Sequence, residues 1–505
     1  MDYLCAPLLT YLLETLIFAS VIYASANIIY NFHFHPLAKF PGPFLAAVTN
    51  VPYSYWFLSG RQPYKLLELH ARYGPVVRTA PNELSFNTPE SWRDIYGHRF
   101  GHKTFVKGKF YAGGSYAGIG TTSVVSERNP HTHRQMRSYL SGAFSEKSLA
   151  EQEQLVSQSV DKFICSLGVK GLGPGGCDLS ALLEMLTFDI TGELAFGESF
   201  GCLDKDVHHP WISVTCGALM QGALVDVLNR FPLLAKFILV VFRRKISKMT
   251  ADTRMNENWA LQAVQRRIHS KNPRQDFLAR ILDERDPRII SDEQIAAHAS
   301  DLVVAGSDTS ATALSACIYY LLQAPSAKLK LQTEIREEFC QYDDINGAST
   351  SALEYLNAVI REALRMYPPL PLGLPRVVPV GGATVNGEFL PEGITVSTNP
   401  LAACLSPQNF NEPLEFRPER WIGRNSEDSC AASQPFSLGP RACIGRNLAW
   451  MEMRTTLAKL IWMYDFELID KTLDWHKDSE MHTLWRKPSL YIRAKQRCTP
   501  NGTSG

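Results

Sequence analysis

The segment "FSLGPRACIG", Phe436–Gly445, sets one cysteine between two glycines, with Arg441 before it and Arg446 just after the segment, and its reading decides the fold. The residues that follow, "RNLAWMEMRTTLAKLIWMY", repeat apolar side chains at helical spacing. Cys443 therefore stands just before a helix N-terminus, where the dipole and unpaired N–H groups favour a thiolate. A thiolate is a strong soft ligand for iron. Gly439 and Gly445 admit backbone geometry closed to other residues and let the chain approach a flat partner, and Phe436 can shield the sulfur. Arg441 is placed to pair with a carboxylate of that partner.

The composition narrows the field. The chain has 505 residues, 45% hydrophobic and 20% charged, with a formal net charge of +1. That is an ordinary globular balance with no basic excess to attract nucleic acid. The 11 cysteines are odd in number, scattered and free of any CxxC pair, which argues against a disulfide framework or a zinc site and for a reducing compartment.

From Leu8 to Tyr30 the chain is apolar and, as a helix rising about 1.5 Å per residue, spans a bilayer's hydrocarbon. A cleaved signal peptide is the rival, but no Lys or Arg precedes Lys39. Glu14 is costly inside hydrocarbon and calls for protonation, snorkelling or a partner. Lys39, Arg61 and Lys65 follow the span, which places everything after it in the cytosol. The stretch "HPLAKFPGP", ending at Pro43, reads as a stiff connector. The organisation expected is an anchor over 1–31, a proline-rich hinge over 32–45, one large domain over 46–495 and a tail over 496–505.

Within the domain, helical periodicity marks 145–167, 291–324, 352–366 and 446–463, and strand-like alternation is confined to "PVVRTAPNELSF" and "ATVNGEF". A mainly α fold with small β-sheets is expected. Residues 291–324 open with "SDEQ", a capping box of Ser291 and Gln294, and carry "AGSDTS" mid-way. Gly306, Ser307, Asp308 and Thr309 each weaken helical hydrogen bonding, leaving room for water or a small ligand; a solvated polar turn fits the same residues. In "EYLNAVIREALRMYPP", Glu362 and Arg365 stand at i and i+3 and taken alone are an ordinary surface pair. His98 and His102 have metal-ligand spacing, but Gly101 interrupts and no third ligand is evident, so they read as structural.

The ten residues 436–445 match F-x-x-G-x-R-x-C-x-G, and in this the chain resembles the cytochrome P-450 superfamily, in which the cysteine is the axial ligand of haem b. The other motifs fall in family order. The resemblance implies a haem held between a long central helix and the cysteine loop, with Phe436, Gly439, Arg441 and Gly445 around it. It implies that Asp308 and Thr309 deliver protons during oxygen activation, and that Arg420 of "FRPERW" joins Glu362 and Arg365 in a buried structural network. His133 and Arg137 of "HTHRQMR", and Arg376 of "LPRVVP", resemble partners of the haem propionates.

Several stretches look like filamentous-fungal members that act on secondary metabolites, including terpenoids and polyketides. The resemblance then implies monooxygenation of an apolar small molecule, hydroxylation or epoxidation. Electrons would come from NADPH through cytochrome P-450 reductase, with cytochrome b5 as an optional donor, at the endoplasmic reticulum membrane. A haem-thiolate isomerase or dehydratase and a haem carrier or sensor are the rivals. Specificity is expected in residues 103–125, 205–242 and "PLGLP"; the helix-like "FPLLAKFILVVF" reads as a membrane-dipping channel roof or an ordinary core helix. The sequon at Asn501 is expected to stay unmodified in a cytosolic tail.

Overall fold

The computed structural model describes residues 2–99, 101, 103–113, 121–241, 243–270, 276–286, 290–423 and 427–497. Asn501 and His102 lie outside them. Ten helices organise the chain: α1 (Asp2–Ile29), α2 (Pro130–Ser141), α3 (Glu146–Lys170), α4 (Leu179–Phe196), α5 (Pro210–Arg230), α6 (Pro232–Val241), α7 (Arg243–His269), α8 (Asp292–Gln323), α9 (Glu354–Met366) and α10 (Arg446–Met463). Further helices and small sheets fill the rest, the mainly α architecture expected.

Helix α8 runs through the middle and packs against α4, α7, α9 and α10. Its Ser291 cap accepts from the Gln294 N–H at 3.2 Å, one half of the expected capping box. Its residues are buried on either side of the segment 304–309, which is not. The expected weakening there does not interrupt the helix. The hydroxyls bond backwards instead, Thr309 Oγ1 to the Ala305 carbonyl at 2.6 Å and Ser307 Oγ to Val303 at 2.5 Å. Gly306 serves packing, because a Cβ there would come within 2.8 Å of Thr191 Oγ1 on α4.

A five-stranded sheet lies to one side: β1 (Val76–Ala80), β2 (Glu83–Phe86), β3 (Val106–Lys107), β4 (Arg376–Val377) and β5 (Thr395–Thr398), in the order β1-β2-β5-β4-β3. Only β2 and β5 pair in parallel. "ATVNGEF", read from the sequence as strand-like, folds into a hairpin, with Asn386 and Gly387 at φ 52° and 80°, the positive values a tight two-residue turn demands.

At the N-terminus, α1 is followed by a π-helical turn, Tyr30–Phe34, and the apolar stretch Glu14–Phe34 is long enough to cross a membrane, with 6% of it buried. Helix α5 passes the same length test, but 40% of its window is buried, and it packs against α7. The base of this helix is pinned. Arg78 of β1, almost fully buried, donates to the Asn31 carbonyl at 2.8 Å and to Asn31 Oδ1 at 3.1 Å.

Candidate active site

The loop before α10 folds back on itself: the Cys443 N–H donates to the Phe436 carbonyl at 2.8 Å and the Ala442 N–H to Gly439 at 3.0 Å. The two glycines do different things. Gly439 has φ +69°, and a Cβ on it would sit 2.2 Å from the Tyr96 carbonyl, so the turn requires glycine. Gly445 has φ −84°, open to any residue, and a Cβ would meet only Phe144, at 4.0 Å. The protein's own packing does not demand a glycine at 445; a planar group pressed against the loop would.

Cys443 opens onto a cavity of about 1790 Å³ of non-protein space, open solvent at its mouth included, which is also lined by Ala305, Gly306 and Thr309 of α8. Burial pushes its thiol above the ordinary value, with the Gly445 amide and the Arg137 and Arg446 guanidiniums pulling the other way. The helix terminus and cations alone therefore do not make the thiolate; a metal on the sulfur would.

One part of the cavity lining is strongly basic. Lys107, His133, Arg137, Arg376 and Arg441 all line it. Lys107 on β3 and Arg376 on β4 are direct cross-strand partners, a like-charge pairing that costs stability by itself. Burial, then Arg441 and Arg376, holds the Lys107 ammonium well below its usual range, and Asp301 and Glu127 offset this only in part. Burial and then Arg376 lower Arg441 to about 10. Burial followed by Arg441, Lys107, Arg137 and Arg376 drives His133 down to about 3. Within this cluster His133 is thus a neutral N–H donor. Each long side chain is steadied by backbone: Arg137 donates to the Ala442 carbonyl at 2.7 Å, Arg441 to Glu127 at 2.7 Å, and Arg376 to Pro375 at 3.1 Å. A cluster of this kind fits a ligand with carboxylate groups. With the thiol and the smooth face at Gly445, the residues present fit haem.

Asp308 and Thr309 are placed differently from one another. Thr309 lines the cavity; Asp308 is not among the lining residues, and its carboxylate pairs with Lys487 at 2.9 Å.

Glu362, Arg365 and Arg420 do come together, away from solvent. Glu362 accepts from Arg365 at 2.9 and 2.8 Å, from Arg420 at 3.0 Å and from the Trp421 indole at 2.8 Å. Arg365 also donates to the carbonyls of Cys404 and Pro413, stapling α9 to the following loop. Burial would lower the Arg420 guanidinium, but Glu362 and Asp428 outweigh it and raise it.

Sequence reasoning passed over Lys107, Lys487 and Glu452. Glu452 is a fully buried acid in the middle of α10 that accepts from Ser310 at 2.7 Å and lines the same cavity. An acid at a core-facing position of α10, beside Met451 and Met453, was its signal. Among the described residues no cluster of His, Cys, Asp and Glu makes a separate metal site, and His98 lies near the surface beside Arg99.

The family model "Cytochrome P-450" matches residues 41–493. The cytochrome P-450 monooxygenase ORF11 of Penicillium roqueforti is 52% identical over 87% of this chain and 91% of that protein. The monooxygenase BOT4 of Botryotinia fuckeliana is 41% identical over 92% and 87%. The trichothecene C-15 hydroxylase of Fusarium sporotrichioides is 38% identical over 93% and 95%.

Proposed function

Since the chain belongs to the cytochrome P-450 family, whose members are haem b monooxygenases, we propose that it inserts one oxygen atom from O2 into an apolar secondary metabolite, by hydroxylation or epoxidation of a terpenoid or polyketide. Two electrons come from NADPH through the membrane-bound reductase, with cytochrome b5 as an optional second donor. The apolar N-terminal helix anchors the enzyme in the endoplasmic reticulum membrane with its domain in the cytosol.

The observation that carries this reading is the cavity itself, where a thiol, a basic rim and a break in the burial of α8 share one space. Cys443 holds the iron, and Arg137, Arg376, Arg441, Lys107 and His133 receive the propionates. The haem supplies the oxygen-activating redox chemistry. Gly445 keeps the loop clear of its plane, and Phe436 packs beside the cysteine loop. Thr309 presents a hydroxyl to the cavity, and Asp308, once turned from Lys487, carries protons to it. The Glu362, Arg365 and Arg420 network supports the cysteine side without touching the reaction. Leu302, Leu370, Leu372 and Val125 line the apolar part of the cavity, where the substrate sits. A hydroxylase among the relatives supports oxygen insertion.

The test is to supply membranes containing enzyme and reductase with NADPH, 18O2 and a panel of fungal terpenoid and polyketide scaffolds. One labelled oxygen per product is expected. A rearranged or dehydrated product formed without O2 or NADPH would replace this reading with isomerase or dehydratase activity.

A further inference from the structure

A second, smaller chamber lies beside the cavity onto which Cys443 opens, with about 350 Å³ of non-protein space, open solvent at its mouth included. Leu372 lines both spaces and is their shared wall. The turn it belongs to is pressed onto β5, since a Cβ on Gly373 would come within 2.9 Å of Ser397 Oγ and 3.1 Å of the Thr398 carbonyl. The lining differs from that of the main cavity: Tyr53, Gln62, Thr79, Glu83 and Ser397 bring polar groups among a few leucines. Gln62, the first residue of the helix Gln62–Tyr73, is 2% exposed, and its amide nitrogen has no hydrogen-bond partner. The Tyr53 hydroxyl is near enough to feel that amide, but no hydrogen bond of ordinary geometry joins them.

A buried donor left unmade is costly, and an apolar side chain of similar size would avoid the cost. An acceptor is supplied by Glu83 at the start of β2, whose Oε1 pairs with the Arg230 guanidinium of α5 at 2.9 Å; Asp226 holds the same guanidinium at 3.0 Å. Burial raises the Glu83 carboxyl against the pull of Arg230. One unpaired donor and one carboxylate in a small chamber suit a hydroxyl, which accepts from the first and donates to the second. An alkyl end would leave the amide unpaired, and a carboxylate would meet Glu83 and Asp226. We infer that the chamber is a subsite for a hydroxyl group at the far end of the substrate, read by Gln62 and Glu83 beyond Leu372. This rests on the substrate cavity proposed above and deepens it. The apolar metabolite already carries an alcohol when it binds, so a reaction that installs one, by oxygenation, carbonyl reduction or capture of water, comes before this enzyme.

The test uses 1-alkylimidazoles of increasing chain length, each ending in a methyl, a hydroxyl or a carboxylate, because an imidazole nitrogen ligates haem iron and reports its own binding through a Soret shift. They are titrated into the full-length, haem-replete enzyme in vesicles. At the chain length that reaches past Leu372, the hydroxyl-ended probe is expected to bind about tenfold more tightly than the methyl-ended one, the effect of a well-made buried hydrogen bond to a charged group, and the carboxylate-ended probe most weakly. Gln62→Leu is expected to erase the hydroxyl preference while the methyl-ended probe binds as before, and Glu83→Gln to relieve the discrimination against the carboxylate. Thermal unfolding supplies an independent readout: Gln62→Leu is expected to melt no lower than wild type, because it removes an unpaired buried amide. Methyl-ended probes that match hydroxyl-ended ones at every length, or a hydroxyl preference that survives Gln62→Leu, overturn the subsite, and a large fall in melting temperature in Gln62→Leu would make the amide structural and overturn it too. If neither the probes nor imidazole itself shifts the Soret band, the haem reading falls and the subsite with it; if they bind without the preference, only the subsite falls.

Discussion

Two groups of buried charge in this molecule are built on opposite plans. Around Glu362, two guanidiniums meet one carboxylate, a second carboxylate at Asp428 and a ring of carbonyls, with the Glu362 and Arg365 side chains at 0% exposure. Around the cavity, Lys107, His133, Arg137, Arg376 and Arg441 face one another with little to offset them. A charge network that satisfies itself holds the fold. One that repels itself has been arranged for something that arrives from outside.

The sharpest way to break this contrast is to remove the shared carboxylate of the first group. Glu362→Leu strands two buried guanidiniums and is expected to cost about 3–5 kcal/mol, seen as loss of folded holoenzyme and a large drop in melting temperature. A variant melting like wild type would show that the network is ornamental.

The second group should answer in reverse. Arg376→Gln removes a repulsive cross-strand partner of Lys107 and is expected to leave the fold as stable as before or more so. Haem should be held more weakly by roughly 1.5–3 kcal/mol, tenfold or more in its transfer to an apo-acceptor. Lost folding with haem retention unchanged would place Arg376 in the scaffold instead.

Glu452 sharpens the comparison, being a buried charge site with no cation. Burial raises its carboxyl from 4.5 to about 7, with the Ser310 hydrogen bond opposing. As pH rises the unfolded chain releases this proton first, so between about 4.5 and 7 the group makes stability fall with rising pH. Glu452→Gln is expected to flatten that stretch of the stability curve and to stabilise at pH 8 by on the order of 2 kcal/mol. An unchanged pH slope would contradict the burial argument.

The smallest effect on folding is expected at Gly445. Gly445→Ala should alter folding by less than about 0.5 kcal/mol, since its φ suits alanine, yet should reduce haem retention. A destabilised fold with normal haem content would reverse the roles given to the two loop glycines.

What was legible in the sequence follows from how local the signal is. The helices α3, α8, α9 and α10 carry their own periodicity and fall where expected to within a few residues, and the strand-like "ATVNGEF" folds as two paired strands. The cysteine loop is a contiguous motif. The residues that escaped notice have partners far along the chain: Asp308 and Lys487 are 179 residues apart, and Asn31 and Arg78 are 47 apart. Lys107 gains meaning only when β3 meets β4. The neutral state of His133 is likewise a property of four cations brought together by folding, invisible in "HTHRQMR".

The central claim is that Cys443 and the basic rim form a haem-thiolate site, and the visible spectrum tests it directly. Membranes bearing wild type or Cys443→Ala would be reduced with dithionite and exposed to carbon monoxide. Wild type is expected to show the strongly red-shifted Soret band of thiolate-bound ferrous haem, and the variant to lack it. Folded, haem-replete wild type without that band would contradict the assignment of Cys443 and the monooxygenase reading built on it.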